Sequence, residues 1–164
     1  MAKTNATGSR TKGAKAKDPV PTGPPTAEPI GRVLDSTAKL LSRAFDQQLV
    51  EAGGTRPAWL ILLALKQQRY RTQQDLAAAV GIEGPTLTHH LDAMQKTGVI
   101  ARERDPDDRR VVRVELTDAG EELFLRLAQA AIGFDQRVRE GVSDRELESV
   151  RSVLGRLREN VASG

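Results

Sequence analysis

Residues 99–116 read VIARERDPDDRRVVRVEL, two short segments of mixed apolar and polar residues separated by a charged turn. In the second segment, Val112, Val114 and Leu116 alternate with Arg113 and Glu115. This period of two is typical of a strand with one packed face and one solvent-exposed face. The intervening DPDDRR contains the Asp and Pro residues that suit a turn. The stretch therefore predicts a β-hairpin whose tip carries two arginines, Arg109 and Arg110.

Two short helices are predicted immediately before the hairpin. Thr72 is placed to cap the segment QQDLAAAV, which ends at Gly81, and Pro85 begins the segment PTLTHHLDAMQK, which is followed by Gly98. Proline at the first helical position and glycine beyond the last are the expected helix boundaries. Two short helices joined by a tight turn indicate a helix-turn-helix, and the hairpin that follows makes it a winged helix.

Longer amphipathic helices flank this unit. One begins at Ile30 and stops at Gly53-Gly54; Thr55 and Pro57 then open a central apolar helix, PAWLILLALKQQ. Thr117 starts another long helix, and the capping box SDRE at residues 143–146 opens the last. The predicted fold is mainly α with a small β-hairpin wing: a winged helix-turn-helix at 55–116 between terminal helices at 30–53 and 117–162. The terminal helices carry more apolar surface than one such domain covers, so self-association through them is expected.

Composition limits the classes of function. A chain of 164 residues suggests one domain, and the absence of cysteine excludes disulfides, thiolate zinc sites and thiol catalysis. No apolar run approaches the roughly 20 residues needed to cross a bilayer, and the basic N-terminus lacks the apolar middle of a signal peptide. The expectation is a soluble, cytoplasmic protein.

The positive charge is confined to the N-terminal segment. Residues 1–29 hold five of the 25 basic side chains and two of the 22 acidic ones, so the remaining 135 residues carry 20 of each. This Gly- and Pro-rich segment is predicted to be a disordered basic arm. It is either a solvated leader, which is the favoured interpretation, or an arm that contacts DNA phosphates. DNA binding by the folded part must depend on where its charges lie.

The predicted helix 85–96 spans about 18 Å, enough to lie in a major groove. Its first turns offer polar side chains suited to base edges and phosphates, while Leu87, Leu91 and Met94 recur at the spacing of a buried face. A charged surface turn alone is usually only solvated, but beside such a helix its arginines would reach the adjacent minor groove. The predicted DNA contacts are Thr72, Gln73, Pro85, Thr86, Thr88, His89, His90, Arg109 and Arg110.

These motifs together resemble the signature of the MarR family of bacterial winged-helix transcription regulators. The resemblance rests on residues 86–89 (TLTH), Met94, Gly98, Ile100, the DRR at 108–110, Thr117 and Gly120, and it extends over the chain from residue 30 onward. It implies a homodimer, formed by the terminal helices, that reads a near-palindrome with half-sites about 10 bp apart. It also implies repression relieved by a small, often aromatic anionic ligand bound between the dimerisation region and the winged domain. Trp59 is the candidate wall of that pocket, and core packing is its simpler interpretation.

Four positions depart from the family pattern: His89 where Arg or a small polar residue is usual, Gln95 for Glu, Val99 for Leu, and Glu83 for a capping Ser. His89 matters most, because a neutral imidazole offers one donor or acceptor where arginine reads guanine with two hydrogen bonds. The operator sequence therefore does not follow from the family.

Two other classes of function are weighed against a DNA-binding regulator. An enzyme is disfavoured, because His89 and His90 diverge by about 100° around a helix and no phosphate-binding loop or dinucleotide fingerprint is present. No cofactor or metal is expected. A winged helix that binds a partner protein instead of DNA is the main alternative, since the folded part has no net charge.

Overall fold

A computed structural model describes residues 27–67, 70, 72–104 and 112–163. Residues 1–26 of the predicted arm lie outside the described residues, and so does the predicted hairpin tip with Arg109 and Arg110. The chain divides into two units, residues 1–37 and 38–164. Six helices and two strands are described: α1 (Ile30–Glu51), α2 (Arg56–Gln67), α3 (Gln73–Val80), α4 (Gly84–Lys96), β1 (Ile100–Arg104), β2 (Val112–Leu116), α5 (Asp118–Val138) and α6 (Asp144–Ala162). This order confirms the predicted fold class.

The described part of the first unit is the beginning of α1. Glu28 forms an exposed ion pair with Arg32 at 3.3 Å, and the Ser36 hydroxyl donates to the Val33 carbonyl at 3.1 Å. Ile30 and Val33 are exposed in this unit. The segment is thus held by local helical interactions.

Within the second unit, α2 is the central helix. It packs against α3, α4, α5 and β2, and its residues Ile61, Leu62 and Ala64 are buried. Around it lies an aliphatic core that the low aromatic content predicts. The buried residues are Leu49, Ile61, Leu62, Ala64, Leu76, Ala77, Leu87, Leu91, Met94, Ile100, Leu123 and Leu127.

The helix boundaries follow the predicted capping residues closely. After α1, the N–H of Gly53 donates to Val50 and that of Gly54 to Leu49, both at 2.9 Å, and Gly53 adopts φ 89°. These are the two hydrogen bonds of a glycine-terminated helix, and the left-handed conformation is one that glycine adopts without strain. At α6, the Ser143 hydroxyl accepts from the Glu146 N–H and the Glu146 carboxylate accepts from the Ser143 N–H, which confirms the predicted capping box. The Ser143 hydroxyl also donates to the Glu146 carboxylate at 2.6 Å, and this bond, together with that from the Ser143 N–H, holds the pKa of Glu146 below its usual value.

The two strands form an antiparallel hairpin in which Ile100 pairs with Leu116, Arg102 with Val114 and Arg104 with Val112. Val99, predicted as the first strand residue, instead lies in the turn after α4, where its N–H donates to the Met94 carbonyl at 2.9 Å. Val111 is outside the described residues. Both predicted strands are therefore confirmed, but the first was predicted to begin one residue too early, at Val99.

Candidate nucleic-acid interface

Helix α4 is anchored on one side and open on the other. Leu87, Leu91 and Met94 are buried against the core, as their spacing predicts. Pro85, Thr86, Thr88 and His89 are exposed, and His90 is half-buried. The imidazole rings of His89 and His90 lie 6.0 Å apart at 58°, and the Thr88 hydroxyl donates to the Gly84 carbonyl at 3.0 Å. The helix therefore presents polar groups on a face that its own core packing leaves free.

The start of α4 has no side-chain cap. Glu83 occupies the N-cap position but makes no capping hydrogen bond, and the first turn contains no acidic residue. Uncapped N–H groups and the positive end of the helix dipole both favour a phosphate oxygen at such a terminus. Because Glu83 stands where the family usually has a capping serine, the N-cap side chain accepts no hydrogen bond from the N–H groups in the first turn of α4.

Helix α3 begins with a complete capping box. The Thr72 hydroxyl accepts from the Asp75 N–H and the Asp75 carboxylate accepts from the Thr72 N–H, each at 3.1 Å. The hydroxyl keeps its own hydrogen as a donor, so a phosphate contact by Thr72 is compatible with its capping role. Gln73, the first residue of α3, is half-buried.

Arg102 is a residue that the sequence interpretation missed. From the middle of β1, its Nε donates to the Gln95 side-chain oxygen of α4 at 2.6 Å, and its Nη2 pairs with the Asp92 carboxylate. Its side chain is only 19% exposed. The signal was present in the alternation of the strand, which places Arg102 on the same face as buried Ile100. A charged residue on a packed face needs a partner, and α4 supplies two.

A second set of contacts fixes the base of the hairpin. The Thr117 hydroxyl donates to the Gly98 carbonyl at 2.5 Å, and the Thr117 N–H donates to the Val99 carbonyl at 3.2 Å. Gly120 is buried directly over that Val99 carbonyl, with no space for a Cβ atom. The end of α4, the hairpin and the start of α5 are therefore joined at one point.

Comparison with known proteins identifies this arrangement. The MarR family model matches residues 55–112, the segment from the start of α2 into β2. The crystal structure of the transcriptional regulator PA3341 is 30% identical, with a TM-score of 0.65, over 82% of this chain and 99% of that one. The chain belongs to the MarR family. It is accordingly a transcription regulator with a winged helix.

Three further structures, of two proteins, share the fold. AbsC, a MarR family transcriptional regulator from Streptomyces coelicolor, has a TM-score of 0.70 at 23% identity, over 82% of this chain and 93% of AbsC. The repressor CouR bound to a 23-mer DNA duplex has a TM-score of 0.69 at 25% identity, over 79% of this chain and 92% of CouR. The structure of CouR from Rhodococcus jostii RHA1 bound to p-coumaroyl-CoA matches with a TM-score of 0.63 at 24% identity. The match covers 76% of this chain and 88% of CouR.

Trp59, the predicted pocket residue of this MarR family member, packs partly against the core. Its ring stacks on Phe124 of α5, with centroids 5.9 Å apart and an angle of 14°. The sequence did not predict the neighbouring contacts: Phe45 lies 5.2 Å from Phe134, and the Arg56 guanidinium lies 5.7 Å from the Phe45 ring. Two separate aromatic contacts therefore hold α5 in the second unit, one with α2 through Trp59 and Phe124 and one with α1 through Phe45 and Phe134.

Two open cavities adjoin the C-terminal half of α1. One, of about 430 Å³, is lined by Asp46, Val50, Thr55, Arg56 and Pro57. The other, of about 350 Å³, is lined by Gln48, Ala52, Arg126, Gln129, Ala130, Gly133 and Arg137. Trp59 lines neither cavity, so its assignment to a ligand pocket stays a prediction.

The C-terminal helices leave a large apolar surface uncovered. No residue of α6 is buried within the described part of the chain. The exposed large apolar residues of the second unit are Leu40, Val50, Leu125, Ile132, Val138, Val142, Val150, Val153 and Val161. Amphipathic helices that together leave this many apolar side chains uncovered need a further surface to pack against.

The described residues show neither a metal site nor a membrane span. Across 27–104 and 112–163, apart from the short gaps at 68–69 and 71, no three His or carboxylate side chains converge to hold a metal ion. In the same residues, no helix has the length and apolar character needed to cross a bilayer.

Proposed function

We propose that the protein is a dimeric, sequence-specific DNA-binding repressor that a small ligand releases from its operator. The observation that carries the proposal is the construction of α4. Its apolar side is held in the core by Leu87, Leu91 and Met94, and its opposite side exposes Thr86, Thr88 and His89 beside a hairpin. A helix presented in this way fits a major groove, while a hairpin next to it lies over the adjacent minor groove or backbone.

The assignment of individual DNA contacts follows from their reach. Thr86, Thr88 and His89 would contact base edges or phosphates from α4, with His90 and Pro85 at the margin of the same face. Thr72 and Gln73 would contact the backbone from the start of α3. Arg109 and Arg110 would enter the minor groove from the hairpin tip. The structure of CouR, which is 25% identical to this chain, bound to a DNA duplex supports DNA binding by the protein.

The proposed dimer uses the surface that α5 and α6 leave uncovered. Val150 and Val153 are 52% and 42% exposed and lie on one side of α6, together with half-buried Leu154 and Leu157. A second copy packing on this surface by a two-fold axis would bury the same residues in both chains. Two recognition helices related in this way would face half-sites about one DNA turn apart.

Selection of bound sequences from random duplex DNA, at two salt concentrations, tests the function. The full chain is expected to enrich a near-palindrome with half-sites about 10 bp apart, and its affinity should fall steeply as salt rises. No enrichment at either concentration would contradict the proposal and point to a protein partner for the winged domain.

A variant of α6 makes the same selection report on the dimer. Val150→Asp with Val153→Asp places two charges in the apolar surface, so the dimer should dissociate and light scattering should give the mass of one chain. Selection with this variant should enrich single half-sites or nothing. Ser152→Asp, on the side of the same helix opposite the apolar residues, is the matched control and should remain dimeric. A dimer that persists with both valines replaced would contradict this interface.

The ligand is proposed to bind beside Trp59, where the indole ring stacks on Phe124. The p-coumaroyl-CoA complex of CouR makes aromatic acids and their coenzyme A thioesters the first compounds to test. Trp59 is the single tryptophan of the chain, so tryptophan fluorescence reports on the surroundings of Trp59 alone. A bound aromatic acid should change that fluorescence saturably and weaken operator binding over the same concentration range, because the two effects are thermodynamically linked. Release of DNA without any change in Trp59 fluorescence would place the ligand elsewhere.

A further inference from the structure

Arg102 joins the wing to the recognition helix through a contact with two acceptors. Its guanidinium reaches Gln95 and Asp92, which lie three residues apart and therefore on neighbouring turns of one side of α4. Arg102 is 19% exposed, compared with 36% for Arg56, which is also ion-paired. Charge-assisted hydrogen bonds to two acceptors restrict both distance and orientation, which a single surface ion pair does not do.

We propose that Arg102 is a positioning residue for DNA recognition. Its contacts with Asp92 and Gln95 set the angle between the wing and α4, and this angle determines whether the two elements fit adjacent grooves of DNA at the same time. The proposal rests on the DNA-binding function proposed above. Arg102 itself acts through the two elements that it connects and has no contact with DNA.

The position of Arg102 in the hairpin explains why one residue has this effect. The base of the hairpin is fixed by buried Ile100 and by the Thr117 contacts. Beyond Val114, which packs against the core, the described hairpin consists of two strands alone, and such a sheet is marginally stable in water. Arg102 pairs with Val114 at the middle of the five paired positions, so fixing Arg102 on β1 also fixes β2. The described strands of the hairpin are thereby tied to α4.

The same contact controls a charge on the reading face. Asp92 lies four residues after Thr88 and four before Lys96, so it shares their side of α4, and its side chain is 58% exposed. An unpaired carboxylate there would repel DNA phosphates. Loss of Arg102 would thus have two consequences, a looser wing and an uncompensated negative charge. The variants below separate them.

The DNA-binding test compares Arg102→Ala with Arg102→Ala/Asp92→Asn on the selected operator and on random duplex. The first should lower operator affinity about tenfold, the loss expected for one charge-assisted contact, and lower random-duplex affinity much less, with the salt dependence unchanged. The second should remain weak on the operator. Full recovery in the double variant would overturn positioning in favour of charge compensation. An equal loss of affinity for the operator and for random duplex, with a smaller salt dependence, would overturn positioning in favour of direct contact between Arg102 and a phosphate. Arg145→Ala, on α6, is the control for loss of an arginine.

A distance measurement decides the positioning role without DNA. Because the chain has no cysteine, spin labels can be attached uniquely through Lys96→Cys on α4 and Glu115→Cys on β2, both exposed positions. Labelled chains diluted in unlabelled protein should give one narrow distance distribution, which Arg102→Ala should broaden. An unchanged distribution would overturn the inference even if operator selection succeeds. Failure of operator selection with a distribution that does broaden would overturn the proposed function and leave the structural link intact.

Discussion

Replacement of Gly120 by alanine is expected to lower the stability of the protein, whereas the same replacement at Gly133, the other glycine of α5, is not. A Cβ at this position would overlap the carbonyl oxygen of Val99 and approach the Leu116 side chain. The obstacle is backbone, and it is held in place by hydrogen bonds from the Thr117 N–H and hydroxyl. Relief therefore requires α5 to move away from the hairpin. Overpacking of this kind costs about 1–3 kcal/mol of unfolding free energy, which corresponds to roughly 2–12 °C in Tm.

Gly133→Ala is the matched control, because it makes the same chemical change in the same helix. No atom lies within 4 Å of a Cβ at position 133, and glycine inside a helix is less stable than alanine by about 0.5–1 kcal/mol. Urea unfolding at one fixed protein concentration should therefore show opposite effects for the two substitutions. Equal tolerance of alanine at positions 120 and 133 would contradict the close approach to Val99.

Gly120 and Arg102 also show where inference from the sequence stops. Helix ends could be predicted because capping is local: Thr72 and Asp75, or Ser143 and Glu146, lie three residues apart in the chain. The alternation in β2 and the buried spacing of α4 are local in the same sense. All of these predictions are confirmed, and together they specify the order of elements.

The missed features join residues that are distant in sequence. Arg102 is ten residues from Asp92, and their contact depends on how the hairpin folds back on α4. The approach of Gly120 to Val99 and the stacking of Trp59 on Phe124 depend on how α5 packs against the rest. A pattern of residue types predicts that such positions are buried or exposed, but the choice of partner follows from tertiary packing. Of the candidate site, the exposed face of α4 was therefore predictable, whereas its support was not.

The charge distribution bears on which residues drive DNA binding. The folded part has 20 basic and 20 acidic residues, and several of its basic side chains are engaged in ion pairs within the chain. Arg56 pairs with Asp46, Lys66 with Glu121, Arg102 with Asp92 and Arg139 with Asp144. A cation already paired with a carboxylate releases little further free energy on meeting a phosphate. DNA affinity must accordingly depend on a small number of residues at the interface.

Arg109 and Arg110 are the residues from which the largest loss of DNA binding is expected. With both replaced by alanine, the affinity for the selected operator should fall about 30-fold or more, since the loss of each arginine that contacts bases costs about 1–3 kcal/mol and every 1.4 kcal/mol is about tenfold. The measurement is fluorescence anisotropy of a labelled operator across several salt concentrations. The salt dependence should decrease for the double variant, because two positive charges that enter the DNA have been removed.

The thermal stability of the same double variant separates two roles for these arginines. Both lie in a predicted surface turn, so their removal should change Tm little if their role is to contact DNA. Asp92→Asn is a useful comparison, because it alters a charge of the winged domain that is engaged with Arg102 within the fold. If the double variant instead loses stability and DNA affinity in proportion, the two arginines support the hairpin. Helix α4 alone would then have to contact the DNA grooves, and it alone would discriminate between operator sequences.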